Sequence, residues 1–139
     1  MTGNSKQVDL EKYAVFVEGV TSNPSKDYKS FLDSIEYLDG EGSDIQRLLT
    51  AAVGISAEGG EFMEIVKKML FQGKPWNDDN REHLIIELGD VMWYVMLACK
   101  ALDVSLDQVI AGNVEKLKKR YPGGDFDVYH SENRAADDR

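Results

Sequence analysis

Cysteine is almost absent from this chain. Cys99 is the only one in 139 residues, so no disulfide framework can form within it, and the composition suits a reducing compartment such as the cytoplasm. Cys99 lies inside an apolar helical stretch and reads as a small core residue. Histidine is scarce as well. His83 and His130 are the two present, and neither stands three residues after a glutamate. A ferritin-type di-metal bundle needs Glu-x-x-His on facing helices, so that class is set aside. Positive charge is in deficit: 16 Lys and Arg against 25 Asp and Glu give a formal net charge of −9. Binding to a nucleic acid polymer or an anionic membrane surface is therefore unfavourable over most of the surface. A small phosphorylated ligand remains compatible, held by a metal and a few local cations. No apolar run reaches the length of a membrane span. The opening MTGNSKQVDLEKY has no basic start followed by an apolar block, so no secretory signal is expected and a cytoplasmic location is.

What the chain does have is helical periodicity. Its length suits one domain with a real core, and 42% apolar with 29% charged residues reads as soluble and globular. The spacing predicts a helix over 7–20, a break at Thr21–Ser25 around Pro24, and a second helix over 26–38. After the loop Asp39–Gly42, Ser43 is a plausible N-cap for a long helix over about 44–72. That helix contains Gly54, Gly59 and Gly60; the pair at 59–60 predicts either a break or the close approach of a neighbour. Gly73 and Pro75 end it. Asp78, Asp79 and Asn80 are cap candidates for a helix over about 79–102, and Ser105 with Gln108 matches a capping box opening a helix over 106–120. Tyr121-Pro122-Gly123-Gly124 stops the last. No segment reads as a strand. The expected class is all-α, a four- to five-helix antiparallel bundle with short loops. Residues 1–124 form one helical domain, with N-terminal helices in 1–42 and the catalytic helices in 43–124; residues 125–139 are a polar tail.

The chemistry concentrates in HLIIELGDVMWYVMLACKAL, residues 83–102. Leu84, Leu88, Val91, Val95, Ala98 and Leu102 form one apolar stripe. Ile85, Met92, Met96 and Cys99 form a second face, and Ile86, Trp93 and Leu97 a third. A helix apolar nearly all round is expected to be buried. Yet between Leu84 and Cys99 it carries Glu87 and Asp90, three apart on one face, and no Lys or Arg. Two such carboxylates are costly unless their pKa values rise or a cation meets them. Glu58 and Glu61 form a second pair at the same spacing on the long helix. Taken alone, that pair reads as a solvated face. Antiparallel neighbours can bring the two pairs together, and four oxygen ligands without His or Cys suit a hard cation, Mg2+ or Mn2+. On the last helix Asn113, Lys116 and Arg120 form one polar stripe. Lys and Arg there also complement the helix dipole; Asn113, between Val109 and Leu117, wants a polar partner, which a metal-bound polyphosphate supplies. Lys68, two turns beyond Glu61, is a further phosphate candidate, although a solvated lysine explains it as well. His83 reads as an exposed or satisfied residue, not a metal ligand. Trp76, Trp93 and Tyr94 can stack on a base but are more often core residues, and no base-binding residue is assigned.

These residues resemble a known family. GISAEGGEFMEIVKKMLFQGK (54–74), ELGDVMWY (87–94) and NVEKLKKRYP (113–122) together are similar to the MazG-like all-α nucleoside triphosphate pyrophosphatases, marked by E-x-x-E followed by E-x-x-D. Here these read Glu58-Gly-Gly-Glu61 and Glu87-Leu-Gly-Asp90. The N-terminal part and KKMLFQGKPW resemble versions carried by tailed phages, which would put the protein in a host cytoplasm. Gly59 replaces the family's usual Ala and leaves the ligands untouched. The resemblance implies that a nucleoside triphosphate, often a deoxynucleotide, becomes the monophosphate plus pyrophosphate. It also implies that Glu58, Glu61, Glu87 and Asp90 bind Mg2+, with Mn2+ a substitute. Metal ions would neutralise the triphosphate and activate water. Glu58 and Glu61 are the catalytic candidates, Glu61 being preferred as the base that takes the water's proton. Asn113, Lys116 and Arg120, with Lys68 behind them, would hold the phosphates.

Four or five helices can hardly cover three apolar faces of one helix, so a homo-oligomer with two-fold symmetry is expected. The resemblance implies a homodimer or a tetramer built from two dimers, with sites near the subunit interface. The competing reading is a non-catalytic helical interaction or regulatory protein, which explains the apolar faces and leaves Glu87 and Asp90 unaccounted for.

Overall fold

The computed structural model describes residues 7–138. The opening residues 1–6, part of the stretch searched for a secretory signal, and residue 139 of the tail lie outside them. The described residues form seven helices and no strand, and none of these helices is long and apolar enough to cross a membrane. They divide into two units between Ser43 and Asp44.

The first unit holds α1 (Leu10–Val20), α2 (Asn23–Lys26) and α3 (Tyr28–Gly40). Asp9 caps α1 by accepting from the Lys12 N–H at 3.1 Å. Pro24 lies in the first turn of α2, where its missing N–H costs nothing. The single helix expected over 26–38 is interrupted at Asp27. This residue is extended, with φ −125° and ψ 122°, and its carboxylate accepts from the Ser30 N–H at 2.8 Å and the Ser30 hydroxyl at 2.7 Å. An aspartate that can cap a new helix ends the old one.

The second unit holds α4 (Ile45–Phe71), α5 (Asp78–Ala101), α6 (Leu106–Arg120) and α7 (Val128–Glu132). Asp44, not Ser43, caps α4, accepting from the Arg47 N–H at 3.3 Å. The Ser43 hydroxyl instead donates to the Leu38 carbonyl at 2.7 Å. α4 runs unbroken through Gly59 and Gly60, and an added Cβ at either would meet nothing within 4 Å. Neither the break nor the close approach is found there. Gly73 turns the chain with φ +70°, as a residue past a helix end often does. Asn77 caps α5, accepting from the Asn80 N–H at 2.8 Å. Ser105 and Gln108 form both bonds of the capping box at α6.

α4 and α5 make the one extensive helix pairing of this unit among the described residues. It is antiparallel: Gly54 lies against Tyr94, and Glu58, further along α4, meets Asp90 and Glu87, further back along α5. Ala51, Gly54 and Ile65 are the buried residues of α4, and Cys99 that of α5. At about 100° per residue, Ala51, Gly54, Glu58 and Ile65 fall in one stripe. The stripe that seals the seam therefore also delivers Glu58 to it. α5 is not enclosed as its composition predicts. Ile86, Leu88, Trp93 and Met96 are all more than half exposed, because α6 makes no extensive backbone approach to α4 or α5. Within the polar tail Val128–Glu132 form α7, and the chain returns to α6 through Asp138.

Candidate metal centre

Glu58, Glu87 and Asp90 each offer a carboxylate oxygen, and the three oxygens lie within 4.8 Å of one another. The i, i+3 spacing on α5 points Glu87 and Asp90 to one side, and the antiparallel seam brings Glu58 across. Glu87 keeps only 12% of its side chain exposed. Glu58 is pushed above the ordinary carboxylate range, first by desolvation, then by the charge of Asp90 and a hydrogen bond with Glu87, then by the charges of Glu87 and Glu61. Among the described residues no lysine or arginine pairs with any of the three. The basic group that does reach them is His83, with Nε2 3.1 Å from Glu87 Oε1. A cluster of hard oxygen donors, short of positive charge and with Glu58 held above the ordinary carboxylate range, fits a divalent cation such as Mg2+.

Glu61 stands outside that group. Three residues after Glu58, it is turned about 60° around α4, and it is exposed. Its charge still acts on Glu58 and on Lys68. Lys68 pairs with Glu64 at 2.7 Å, and this bond, before the charges of Glu64 and Glu61, holds its pKa above the usual lysine value. On α6, Asn113 is exposed. Arg120 is engaged by Asp138, with Nε to Oδ2 at 2.6 Å and Nη2 to Oδ1 at 2.7 Å, and Lys116 Nζ is 3.7 Å from the same carboxylate. Beside the acids, a depression of about 330 Å³ is lined by Glu58, Asp90, Trp93 and Tyr94. Trp93 is 61% exposed, not core, and meets Tyr94 edge-on at 4.8 Å between ring centroids.

Residues 46–124 match the model of the MazG nucleotide pyrophosphohydrolase domain. The chain belongs to the MazG family. The match spans α4, α5 and α6, and with them all three clustered acids. Over 86 residues, covering 61% of this chain and 75% of the relative, it is 38% identical to the Gene 37 protein of Mycobacterium phage L5. No solved structure matches it. The clustered acids of this MazG domain thus sit within a region whose family activity is hydrolysis of nucleotides to release pyrophosphate.

Two contacts escaped the sequence outright, and a third was legible only as spacing. Gly54 is the point of close helix approach: its missing side chain makes room for the Tyr94 ring. Nothing in composition distinguishes it from Gly59 or Gly60. The bond from His83 to Glu87 follows from i, i+4 spacing and was legible as geometry, though not as a role. Asp138 lies 18 residues beyond Arg120 in a polar tail, where no periodicity points to it.

Proposed function

We propose that this MazG domain hydrolyses nucleoside triphosphates, deoxynucleoside triphosphates foremost, to the monophosphate and pyrophosphate, with Mg2+ held by Glu58, Glu87 and Asp90. The observation that carries this is a group of three carboxylates with which, among the described residues, no lysine or arginine pairs. When bound there, the cation neutralises the triphosphate and lowers the pKa of a water; Mn2+ can take its place. Glu58, Glu87 and Asp90 hold and orient it. Glu61 is close enough to share their field and is not one of the clustered ligands, so it accepts the proton from water as the water oxygen bonds to the α-phosphorus. The bond from that phosphorus to the bridging oxygen breaks, and pyrophosphate leaves. The exposed ring of Trp93, beside Asp90, offers a stacking face for the base.

Asn113, Lys116 and Arg120 receive the β- and γ-phosphates and steady the leaving pyrophosphate. Within one chain α6 has no extensive packing on α4 or α5. A second copy related by two-fold symmetry would set its α6 against the acids and cover the exposed faces of α5. The similarity to a mycobacteriophage product favours a role in phage nucleotide metabolism or in cleansing the precursor pool.

The test is a panel of ribo- and deoxynucleoside triphosphates, with normal and damaged bases, incubated with Mg2+. Monophosphate and pyrophosphate are the expected products. Release of orthophosphate refutes the reaction, and no turnover with any nucleotide favours the non-catalytic interaction protein. Glu87→Gln and Asp90→Asn should each lower kcat by at least a hundredfold with the helical signal retained; near-normal turnover in either removes that residue from the metal centre.

A further inference from the structure

The cations of α6 are already occupied. Asp138 presents both oxygens to the Arg120 guanidinium, at 2.6 and 2.7 Å, and approaches Lys116 at 3.7 Å. The pair is shielded: the side chains are 12% and 10% exposed. A forked, two-bond contact of this kind is how a guanidinium also grips a phosphate. The intervening chain is built to deliver the carboxylate. Asp127 caps α7 by accepting from the His130 N–H at 3.2 Å, the Asn133 amide closes on the Tyr129 carbonyl at 2.8 Å, and the Asp138 N–H bonds the Ala135 carbonyl at 3.0 Å. This last turn brings Asp138 back to α6. Between strap and helix lies a cavity of about 380 Å³ whose lining includes Lys116, Lys119, Arg120 and Arg134.

We propose that residues 127–138 are an autoinhibitory strap, in which the Asp138 carboxylate stands in for a phosphate on Arg120 and Lys116 and must be displaced by a polyphosphate before those residues can bind it. This rests on the assignment of Lys116 and Arg120 to phosphate binding. A tethered carboxylate competes at high effective concentration. Pyrophosphate carries more charge and more oxygens, and so displaces it. If the strap is closed about ten times as often as open, the apparent affinity for an anion at this pair is about tenfold weaker than the intrinsic one.

The experiment uses the full chain, inorganic pyrophosphate as the probe and no added metal, so that turnover plays no part. Asp138→Asn should bind pyrophosphate about tenfold tighter than the parent. Asp125→Asn, which removes the same charge from an exposed position outside the lining of that cavity, should bind like the parent. Arg120→Ala should bind more weakly than any of them. Pyrophosphate should also hasten tryptic cleavage after Arg134 in the parent, whereas Asp138→Asn should be cleaved fast without it. Equal affinity of parent and Asp138→Asn, an equal gain in Asp125→Asn, or cleavage indifferent to pyrophosphate overturns the strap. Unchanged binding in Arg120→Ala, or no binding by any variant, overturns the strap and the phosphate assignment together. Tighter binding by Asp138→Asn with no nucleotide turned over supports the strap and counts against the proposed reaction alone.

Discussion

Gly54→Ala tests whether the metal centre depends on the closeness of two helices. An added Cβ at this position would overlap the Cγ, Cδ1 and Cε1 atoms of the Tyr94 ring. Carbon atoms pack at about 3.5–4.0 Å, so ring and methyl must separate by about 1 Å or more. The displaced atoms include the base of the ring, not merely its tip, so rotating the side chain alone is a poor escape and the helices must part. Overpacking of this sort costs about 1–3 kcal/mol, which in a chain of this size lowers Tm by several degrees. The effect on the acids should be larger. Glu58 lies one turn beyond Gly54 on the same stripe, and metal sites tolerate ligand displacements of only about 0.2 Å. Mg2+ affinity, measured by calorimetry, should fall at least tenfold, and turnover with it. Gly54→Ala combined with Tyr94→Ala should recover part of both losses, a coupling that a double-mutant cycle reads directly. A wild-type Tm in Gly54→Ala refutes the close packing. A lowered Tm with unchanged Mg2+ affinity refutes the link from seam to metal.

Two further outcomes follow from the electrostatics. Glu58 carries a raised pKa in the fold, so between its ordinary and raised values the folded chain holds a proton that the unfolded chain has lost. Stability of the metal-free protein should therefore fall as pH rises through that window and level off above it. Mg2+ replaces that proton, so the rise in Tm it produces should be greater at neutral than at acid pH; an equal rise at both would refute the assignment of Glu58 as a ligand. Lys68→Ala should change KM and kcat by less than about threefold, because Lys68 is spent on an exposed pair with Glu64. A tenfold rise in KM would return it to the phosphate site.

The sequence yields those parts of the molecule that local rules decide. The capping box at Ser105 sets the start of α6 to the residue, and Glu87 and Asp90 stand out because their flanks between Leu84 and Cys99 are apolar. The distinction between Glu58 and Glu61 comes instead from the paired helices, which bring Glu58 alone of the two to Glu87 and Asp90. Glu58 shares its stripe with Ala51, Gly54 and Ile65, whereas Glu61 lies at the stripe's edge; the E-x-x-E motif treats them alike. What was illegible depends on partners distant in sequence. The contact of Gly54 with Tyr94 exists only once two helices pair, and that of Asp138 with Arg120 only once the tail turns back. The cover that α5 calls for is not supplied within the chain, for a related reason: an apolar helix face states a demand for cover and does not say what meets it.

The three acids arise from one helical hairpin, two from one arm and one from the other. A divalent ion among them is a removable crosslink across that hairpin. Loading such an ion and locking the arms together would thus be one event, and on its departure the repulsion among the acids would fall on the Gly54–Tyr94 seam. With such an ion the local stability of the hairpin would rise and fall with the free Mg2+ around it, while the junction of α6 with its tail, fastened by an ion pair of its own, would under the proposed strap answer to phosphate-like anions instead.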